Sequence, residues 1–469
     1  MSLTSWMPEN VSPRGPVYIA IADALAHDVQ VGLLEAGQRL PTHRDLARRM
    51  GLNVVTITRA YAEAKRRGLV EGEVGRGTFV TRTGSGNGAN DNALVRLEGS
   101  IDFHFNLPGT PVESLGRAGV EQVLSDGFDF LGGDYNTEGS PDHREAGVEW
   151  MARAGLRADA ERVVVTNGGQ HAMTVALTTL LDPGDTVLAE ELTYPGFRAL
   201  ASLLHLRAAP VAADAEGLLP DALEYACKKG NPRALYCMPT LQNPTGVVWS
   251  ESRRREVLEV AERWGLTILE DDTTAFLVED APAPLAELAP DRVVFLSSTS
   301  KSIGAGLRVG FIHVPATCHR EGGLTRDRMI GNMAALSWMT PPLMVEIAAR
   351  MIRNGSADAI VRAKRRELAA RRELFGRLLP EVSTPSHPAC SFVWASLPEP
   401  WRSSQFVEEA RAEGVALAPA ESFVVGRAHA PHSVRICIGT PGQRSDVERG
   451  LEVLARILSR APNACRALV

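Results

Sequence analysis

A lysine between small hydroxyl residues and a glycine-rich turn is the most reactive group that the sequence offers. It is Lys301, in the segment SSTSKSIGAGLRVG at residues 297–310. A lysine enclosed in a pocket has a lowered pKa, so that its neutral amine attacks an aldehyde and forms a Schiff base. The segment therefore predicts covalent chemistry with a carbonyl compound.

Three further segments carry side chains that suit a phosphorylated aromatic aldehyde. LTILEDD ends in acid and places Asp271 where a carboxylate can pair with a protonated pyridine nitrogen, which keeps the ring an electron sink. MPTLQNPTGVV offers Asn243 as a donor to a phenolic oxygen. VVVTNGGQHAM indicates a strand, a glycine turn and a helix start, which together can bind a phosphate. The four segments predict one shared site.

The elements that must position these residues alternate along the chain from residue 101 onward. Amphipathic helical stretches separate apolar runs that are typical of buried strands, and these runs are ERVVVTN, DTVLAE, RALYCMP, LTILEDD and DRVVFLS. The alternation predicts an α/β fold with a mainly parallel sheet that helices cover on both faces. Residues 344–380 predict long helices that lead into a smaller C-terminal α+β domain.

A separate module precedes this region. Helical apolar spacing covers residues 17–34, a short helix lies between Thr42 and Gly51, and another helix covers about 53–67. Between them, Thr42 with Asp45 three positions later forms a start that resembles a capping box. GLVEGEVGRGTFV then alternates apolar and polar residues around glycines, which predicts a two-stranded wing. The order of elements predicts a winged helix-turn-helix that binds double-stranded DNA.

The candidate DNA contacts are hydroxyl and basic side chains of this module. Arg44 begins the first helix of the motif, where its charge and the helix N-terminal amides can meet a phosphate, and Arg76 lies at the wing tip. Lys65, Arg66 and Arg67 lie at the end of the second helix, where cations equally complement the helix dipole. The predicted DNA-binding residues are Thr42, Arg44, Thr56, Thr58, Arg59 and Arg76.

Composition limits the remaining possibilities. A chain of 469 residues is too long for one hydrophobic core, and 44% hydrophobic with 23% charged residues is ordinary for a soluble globular protein. The six cysteines show neither a C-x-x-C pair nor zinc-like Cys/His spacing, which favours a reducing compartment and no metal site. The N-terminus lacks the features of a signal peptide, and no apolar run is long enough to span a bilayer. We therefore expect a cytoplasmic protein with no membrane partner.

Charge and glycine content indicate the domain boundaries. Residues 1–82 hold 11 basic and 8 acidic residues, a balance of +3, which leaves −9 for the remainder of a chain whose net charge is −6. TGSGNGANDN at 83–92 is typical of a flexible linker. We predict a DNA-binding domain at 1–82, a linker at 83–100 and a larger domain at 101–469, whose small C-terminal subdomain begins at about residue 345.

Residues 16–80 closely resemble the GntR-type winged helix, and the resemblance runs without a gap. The pieces L-P-x-x-R-x-L-A and G-R-G-T-x-V carry it. One departure is Asn53-Val54 at the opening of the recognition helix, where many relatives have a Ser-Arg pair. The departure puts one base or phosphate contact of the family in doubt.

Residues 101–469 resemble the fold-type I aminotransferases, which use pyridoxal 5'-phosphate (PLP), and the four motifs stand in the family's order. The resemblance implies that Lys301 carries the internal aldimine, that Asp271 pairs with the pyridine nitrogen and that Asn243 bonds the ring oxygen. Tyr194, in ELTYPG, matches the aromatic residue that stacks on the ring. The residues that the resemblance places around the phosphate are Gly168, Gly169, Gln170, Ser298 and Arg308.

Further matches concern the substrate and the partner subunit. Arg435, in SVRICIG, matches the arginine that clamps an amino acid α-carboxylate by a bidentate fork. Tyr135, in DYNTEGSPDHRE, matches the tyrosine that reaches the phosphate across a dimer interface. His171 lies at the helix start beside the phosphate motif, and we expect it to pack there rather than to contact the ring. His104 and His143 are expected to be structural or interfacial.

Two departures from the aminotransferase pattern bear on activity. The family usually has a tyrosine two or three residues after the aspartate, bonded to the ring oxygen, whereas Thr273 and Thr274 stand at these positions. Their hydroxyls are shorter and lack phenol acidity, so the pKa of the aldimine and any transamination rate are expected to differ from the family's. Cys390-Ser391 replaces a usual double glycine, which is expected to narrow the substrate mouth.

The two modules in this order resemble the MocR subfamily of GntR regulators. In that family the aminotransferase-like part dimerises head-to-tail and senses an effector. The leading hypothesis is a PLP-binding transcriptional regulator in which PLP itself, or an amine or amino acid that displaces Lys301, changes DNA binding. Two alternatives stay open: a working aminotransferase that retains a winged-helix head, and a binding module that has lost PLP.

Overall fold

The computed structural model of the protein describes two compact units. They are Met1–Val95 and Arg96–Val469. The described residues are 6–8, 17–30, 33–34, 38–66, 69–73, 77–80, 100–107, 109, 113–126, 136–315, 325–426 and 430–460. Most of the predicted linker at 83–100 therefore lies outside the described residues.

The first unit is a winged helix-turn-helix, as the sequence predicts. Its elements are α1 (Val17–Gln30), α2 (His43–Met50), α3 (Val54–Arg66), β1 (Val70–Glu73) and β2 (Gly77–Val80). The two strands pair antiparallel, with Val70 opposite Val80. Arg39 forms a β-bridge with Phe79, so the segment before α2 adds a third strand-like edge to the wing.

Three residues set the ends of α2 and the start of α3. Thr42 is extended, and its hydroxyl oxygen accepts from the Asp45 amide at 3.2 Å, which caps α2. Gly51 ends α2 with φ 65°, a left-handed conformation that favours glycine. Asn53 then caps α3, because its side-chain oxygen accepts from the Val55 amide at 2.9 Å. The core beneath is apolar and includes Ile21, Leu25, Leu46, Ile57 and Tyr61.

The second unit contains fourteen strands among its described residues. These are β3 (Ile101–Asp102), β4 (Val163–Thr166), β5 (Thr186–Glu190), β6 (Arg207–Val211), β7 (Ala213–Asp214), β8 (Gly217–Leu218), β9 (Ala234–Cys237), β10 (Thr267–Asp272), β11 (Val293–Ser298), β12 (Gly310–His313), β13 (Val393–Ser396), β14 (Val415–Ala416), β15 (Ala418–Pro419) and β16 (Ser433–Ile436). They form one large sheet and three smaller ones.

The helices of the second unit lie between and after the strands. They are α4 (Glu113–Asp126), α5 (Pro141–Ala152), α6 (Gly169–Leu180), α7 (Pro195–Leu203), α8 (Pro220–Gly230), α9 (Glu251–Arg263), α10 (Leu285–Leu288), α11 (Thr325–Ser337), α12 (Pro342–Arg353), α13 (Ser356–Leu378), α14 (Ser403–Ala412) and α15 (Arg444–Leu458). Short 3-10 turns cover Ala160–Arg162, Ala275–Leu277, Ala305–Leu307 and Ala420–Ser422. No helix in the described ranges is long and apolar enough to cross a membrane.

The large sheet has seven strands in the order β4-β12-β11-β10-β9-β5-β6. β12 runs antiparallel to both of its neighbours, and the other pairs are parallel. Both faces are covered, because Val165 and Phe295 belong to one apolar cluster while Val164 and Leu296 belong to another. This arrangement explains why the strands are continuous apolar runs rather than alternating ones.

The sheet gathers the predicted site residues at one edge. β4, β5, β9, β10 and β11 point the same way, so their carboxyl ends meet at the edge where ligands of such sheets bind. The loops or strand ends there carry Gly168, Tyr194, Asn243, Asp271 and Lys301. The order of the motifs along the chain thus becomes a cluster in space.

The terminal subdomain is built on the sheet β13-β16-β15 with α14 and α15. The beginning of the unit also joins it, because β3 pairs with β14 and the Phe103 ring packs in its core. The sequence analysis placed the start of this subdomain at about residue 345. Ile101 pairs with Val415, far away in the chain. A strand of two residues is too short to show a sequence pattern that would indicate so distant a partner.

Candidate functional site

Lys301 lies in the turn that follows β11. Its amine donates a hydrogen bond to the backbone carbonyl of Asn106. Burial lowers the pKa of Lys301 to about 8, and the nearby charges of Arg435 and Arg308 act in the same direction. The amine is therefore neutral in a much larger fraction of molecules than an ordinary surface lysine, which is the form that attacks a carbonyl.

Asp271 is the buried acid of the site, with 5% of its surface exposed. One carboxylate oxygen, Oδ2, accepts from the Tyr236 hydroxyl at 2.7 Å. The other, Oδ1, is buried and has no hydrogen-bond partner among the described residues. Burial raises the pKa of Asp271 to about 6, against the hydrogen bond from Tyr236 and the charge of Lys301, which lower it. A buried acceptor without a donor suits a protonated ring nitrogen, so this residue fits PLP.

Tyr236 is a site residue that sequence reasoning missed. It lies in the middle of the apolar run RALYCMP and was assigned only to a buried strand. Its ring stacks on Phe197 with 4.1 Å between centroids, while its hydroxyl bonds Asp271. The available signal was that a fully buried tyrosine requires a partner for its hydroxyl.

A candidate anion cradle lies at the N-terminus of α6. Gly168 caps this helix at φ 82° without a side-chain bond to the first amides. A Cβ at Gly168 would lie 2.7 Å from Nη2 of Arg308, so the glycine gives the guanidinium room to pass over it. Arg308 also donates to the Asn167 carbonyl at 3.3 Å. Open amides and a guanidinium together suit an anion.

Hydroxyl groups complete the cradle. The Ser298 and Ser300 hydroxyl oxygens lie 2.8 Å apart, and Nη1 of Arg308 donates to that of Ser300 at 3.4 Å. Gly169 brings this side close, because a Cβ there would lie 3.5 Å from the Ser298 Cβ and 3.4 Å from the Thr273 methyl carbon. Ser300 was not singled out from the sequence, although it lies in the same hydroxyl-rich segment as Lys301.

Gln170 and Tyr194 form a linked pair above the helix start. The Tyr194 hydroxyl donates to Oε1 of Gln170 at 3.3 Å, and Nε2 of Gln170 donates to the Gly196 carbonyl at 3.1 Å. The Tyr194 ring lies against Gly196, where any side chain would collide with it. Burial raises the pKa of Tyr194, and the charge of Asp271 adds to the shift. The pair holds an aromatic ring beside the acid.

Arg435 connects the terminal subdomain to the loop after β9. Nη1 donates to Oδ1 of Asn243 at 2.7 Å, and Nη2 donates to the His104 carbonyl at 2.7 Å. The guanidinium carbon lies 4.8 Å from the centroid of the Phe423 ring. The predicted carboxylate clamp therefore already has protein acceptors, which a carboxylate ligand would have to replace.

The residues that depart from the aminotransferase pattern have defined contacts. The Thr274 hydroxyl donates to the Thr240 carbonyl at 3.5 Å, so its donor is used by the backbone. Cys390 is buried, and the Ser391 hydroxyl donates to Oδ1 of Asn106 at 2.9 Å. Ser391 thus steadies the residue whose carbonyl receives the Lys301 amine. Neither Asn106 nor this link was anticipated.

The three histidines that the sequence analysis named have partners within the protein. Nδ1 of His171 accepts from the Asn167 amide at 3.0 Å, His143 pairs with Glu346 at 3.0 Å, and Nδ1 of His104 lies 2.9 Å from the Leu417 carbonyl. These contacts fit the packing roles expected from the sequence. No group of three or more metal-ligating side chains occurs in the described part of the chain. Tyr135 lies outside the described residues.

The winged helix has a basic cavity beside the N-terminus of α2. It measures about 430 Å³ and is lined by Arg39, Leu40, Thr42, His43, Arg44, Gly77 and Thr78. Arg44 is exposed, and the Arg39 guanidinium lies across Gly77, 3.0 Å from where a Cβ would stand. Arg39 was missed because its contact depends on the wing folding back onto residue 79. The cavity suits a DNA phosphate.

Helix α3 presents one face to solvent. The exposed residues on it are Val54, Val55, Thr58, Arg59, Ala62 and Lys65, at the spacing of a single helical face. Thr56 is half-buried. The Thr58 hydroxyl donates to the Val54 carbonyl at 2.9 Å and lies 3.1 Å from Nδ1 of His43. Arg67, Arg76 and the side chain of Arg66 lie outside the described part.

Comparison with known families assigns both units. The profile of bacterial regulatory proteins of the gntR family matches residues 17–80, and the profile of aminotransferase class I and II matches residues 124–454. Fold and site therefore define a class of protein: a winged-helix DNA-binding domain joined to an aminotransferase-like domain.

Relatives in bacteria have the same arrangement along nearly their whole length. The HTH-type transcriptional regulator YdeF of Bacillus subtilis is 30% identical over 462 residues, which is 97% of each chain. YdcR of Escherichia coli, a second HTH-type regulator, is 25% identical over 87% of this chain and 92% of its own. The chain belongs to the GntR-type transcriptional regulators with an aminotransferase domain, the architecture of the MocR subfamily.

Enzymes resemble the second unit. The 2-aminoadipate transaminase of Thermus thermophilus is 30% identical over 379 residues, 78% of this chain and 91% of the enzyme. The structure of LysN from Thermus thermophilus, an α-aminoadipate aminotransferase complexed with N-(5'-phosphopyridoxyl)-L-leucine, aligns with TM-score 0.67 and 27% identity over 77% of this chain and 92% of its own. An archaeal alanine:glyoxylate aminotransferase aligns with TM-score 0.69, at 24% identity and over 77% and 91% of the two chains. At this level of identity the alignment supports a shared fold alone.

Proposed function

We propose that this regulator binds PLP at Lys301 and that PLP, or an amine or amino acid that competes for the same site, changes its affinity for double-stranded DNA. The observation that carries the proposal is the buried Oδ1 of Asp271, which has no donor among the described residues. A polar atom enclosed without a partner costs free energy unless a ligand supplies one. The charges of Asp271 and Lys301 influence each other, so acid and amine belong to one site.

The site residues divide the recognition of PLP among them. When bound, PLP supplies an electrophilic aldehyde carbon and an electron-withdrawing ring. The neutral amine of Lys301 would attach to that carbon, and Asp271 would accept from the ring nitrogen. Tyr194 would cover a face of the ring, and Asn243 would donate to its oxygen. The phosphate would be held by Gly168, Gly169, Gln170, Ser298 and Arg308.

Arg435 offers a route from effector to conformation. Its two bonds, to Asn243 and to the His104 carbonyl, join β16 of the terminal subdomain to loops around the lysine. An amino acid carboxylate that takes the guanidinium would break these bonds and release the subdomain from that position. A coupling of about 1–3 kcal/mol between effector and DNA would give a useful switch.

The DNA-binding proposal rests on the basic cavity beside α2 and the exposed face of α3. Arg39 and Arg44 would hold phosphates, while residues of the face around Arg59 would meet base edges. Head-to-tail dimerisation, in which Tyr135 of a second copy reaches the phosphate, belongs to the same proposal. A regulator of chromosomal DNA would act in the cytoplasm.

A binding experiment with three forms of the full-length protein tests the proposal. DNA affinity is measured for the PLP-loaded protein, the PLP-free protein and the loaded protein treated with an amine, on the same duplex. The absorbance of bound PLP is followed in parallel in Lys301→Ala and in Lys229→Ala, an exposed lysine of α8 that serves as control. Lys301→Ala should lose the absorbance and the DNA response, and Lys229→Ala should keep both. Equal DNA affinity in all three forms would refute the switch.

A working aminotransferase is the second candidate. The chain has Lys301, Asp271 and Arg435 at the positions that the family's motifs match, and it shares 30% identity over 379 residues with a 2-aminoadipate transaminase. Sustained multiple turnover of amino group from an amino acid panel to a keto acid would favour it over a regulator that only binds. The third possibility, a module that has lost PLP, predicts no absorbance dependent on Lys301.

A further inference from the structure

The start of the exposed face of α3 is apolar. Val54 is 40% exposed and Val55 is 57% exposed. The other apolar residues of this helix point into the core, and each has 3% or less of its surface exposed; they are Ile57, Ala60, Tyr61 and Ala64. Two valines in the first turn therefore lie outside the core that the rest of the helix serves.

Two side-chain oxygens at this turn already have partners within the domain. The Asn53 side-chain oxygen accepts from the Val55 amide at 2.9 Å. The Thr58 hydroxyl donates its one proton to the Val54 carbonyl at 2.9 Å, so its oxygen can only accept in the 3.1 Å contact with Nδ1 of His43. Val54 and Val55 therefore expose hydrocarbon beside side-chain oxygens that are already bonded.

Basic groups surround this hydrocarbon. Arg59 lies one turn after Val55 on the same face, and Lys65 lies at its far end. Arg44 at the start of α2 and Arg39 across the wing line the adjacent cavity. Such a frame attracts phosphates, which fix the position of a helix on the duplex without selecting sequence. Selection is left to the residues at the helix start, which contact base edges in the major groove.

We infer that Val55 contacts the C5-methyl group of a thymine in the major groove and makes the regulator prefer a T·A pair at that position. The thymine methyl is the apolar group that unmodified DNA displays there, so it is the chemical match for an exposed valine. Valine is stiff at χ1 and loses little freedom on contact. The inference rests on the DNA binding proposed above and names the base that the helix start selects.

Removal of single methyl groups from DNA tests the inference. Full-length, PLP-loaded protein first selects duplexes from a random pool. Each thymine of the selected site is then replaced by deoxyuridine, which deletes only the methyl, and affinity is measured by fluorescence anisotropy. The same set is measured with Val55→Ala and with Leu33→Ala, which truncates an exposed apolar residue outside α3.

The wild type should lose about fourfold in affinity at one thymine of each half-site, the value of one buried methyl-sized group. Leu33→Ala should keep this loss, and Val55→Ala should bind thymine and deoxyuridine equally there. Selected duplexes that tolerate deoxyuridine at every position would overturn the inference while DNA binding stands. If Val55→Ala distinguishes thymine from deoxyuridine as strongly as the wild type does, the assignment to Val55 is overturned. Failure to enrich any duplex would overturn the proposed function as well.

Discussion

The Tyr236 hydroxyl should control the ionisation of Asp271, and Tyr236→Phe isolates that role. The substitution removes the donor that lies 2.7 Å from Oδ2 and keeps the ring that stacks on Phe197. Asp271 is then left with neither oxygen bonded by the described residues, since Oδ1 has no donor already. The ionised form of the acid loses its remaining stabilising bond inside the protein.

The size of the effect follows from the cost of one hydrogen bond to a charged group. Such a bond contributes about 1.5–3 kcal/mol, and one pKa unit corresponds to about 1.4 kcal/mol, so the pKa of Asp271 should rise by roughly one to two units. From a starting pKa of about 6, the acid changes from mostly ionised at pH 7 to between about half and about nine-tenths protonated. Affinity for PLP at pH 7 should then fall by roughly two- to tenfold, in proportion to the ionised fraction.

The dependence on pH distinguishes this effect from general damage. PLP affinity is measured by absorbance titration across the pH range in the wild type and in Tyr236→Phe, with thermal unfolding as a check on folding. The loss of PLP affinity in Tyr236→Phe should be large near neutral pH. It should disappear at alkaline pH, where Asp271 is ionised in both proteins. A deficit that is constant with pH, or no deficit at all, would refute the link between Tyr236 and Asp271.

Three more predictions follow from the site and its support. The rate of PLP attachment should rise with pH and level off above about 8, the lowered pKa of Lys301, because the neutral amine is the nucleophile; a rate that rises up to pH 10 would contradict this. Arg435→Met should keep the absorbance of bound PLP and its response to a simple amine, but lose the preference for amino acids that carry a carboxylate; unchanged titrations with both ligands would contradict the clamp. Arg254→Met should lower the free energy of unfolding by about 3–5 kcal/mol in denaturant titrations, because it leaves the fully buried Glu270, 3.6 Å away, without its cation. Arg255→Met, which breaks only an exposed pair on the same helix, should unfold almost like the wild type.

The sequence predicted the fold and the residues at the strand ends because both depend on local patterns. Continuous apolar runs indicated buried parallel strands, and the family's motifs placed Asp271, Asn243 and Lys301 at or after the ends of three of them. A parallel sheet turns such a series into one cluster, since the carboxyl ends of its strands share an edge. The location of these residues at one edge of the sheet follows directly from that rule.

The sequence did not indicate the contacts that join distant segments. Tyr236 meets Asp271 across 35 positions, and Ser391 meets Asn106 across 285. Neither contact has a periodicity or a spacing that could announce it, because each arises only after the sheet and the terminal subdomain have packed. The contact of Arg39 with Gly77 was not predictable for the same reason, because it forms only when the wing has folded.

The pairing of β3 with β14 determines where the connection from the first unit enters the second. The Ile101 amide donates to the Gly414 carbonyl at 2.9 Å, and the Phe103 carbonyl accepts from the Cys437 amide, two residues beyond Arg435, at 2.9 Å. The segment that leads from the DNA-binding unit therefore joins the second unit at the subdomain that carries Arg435. If an effector moved that subdomain, as proposed above, the point at which the connecting segment joins the second unit would move with it.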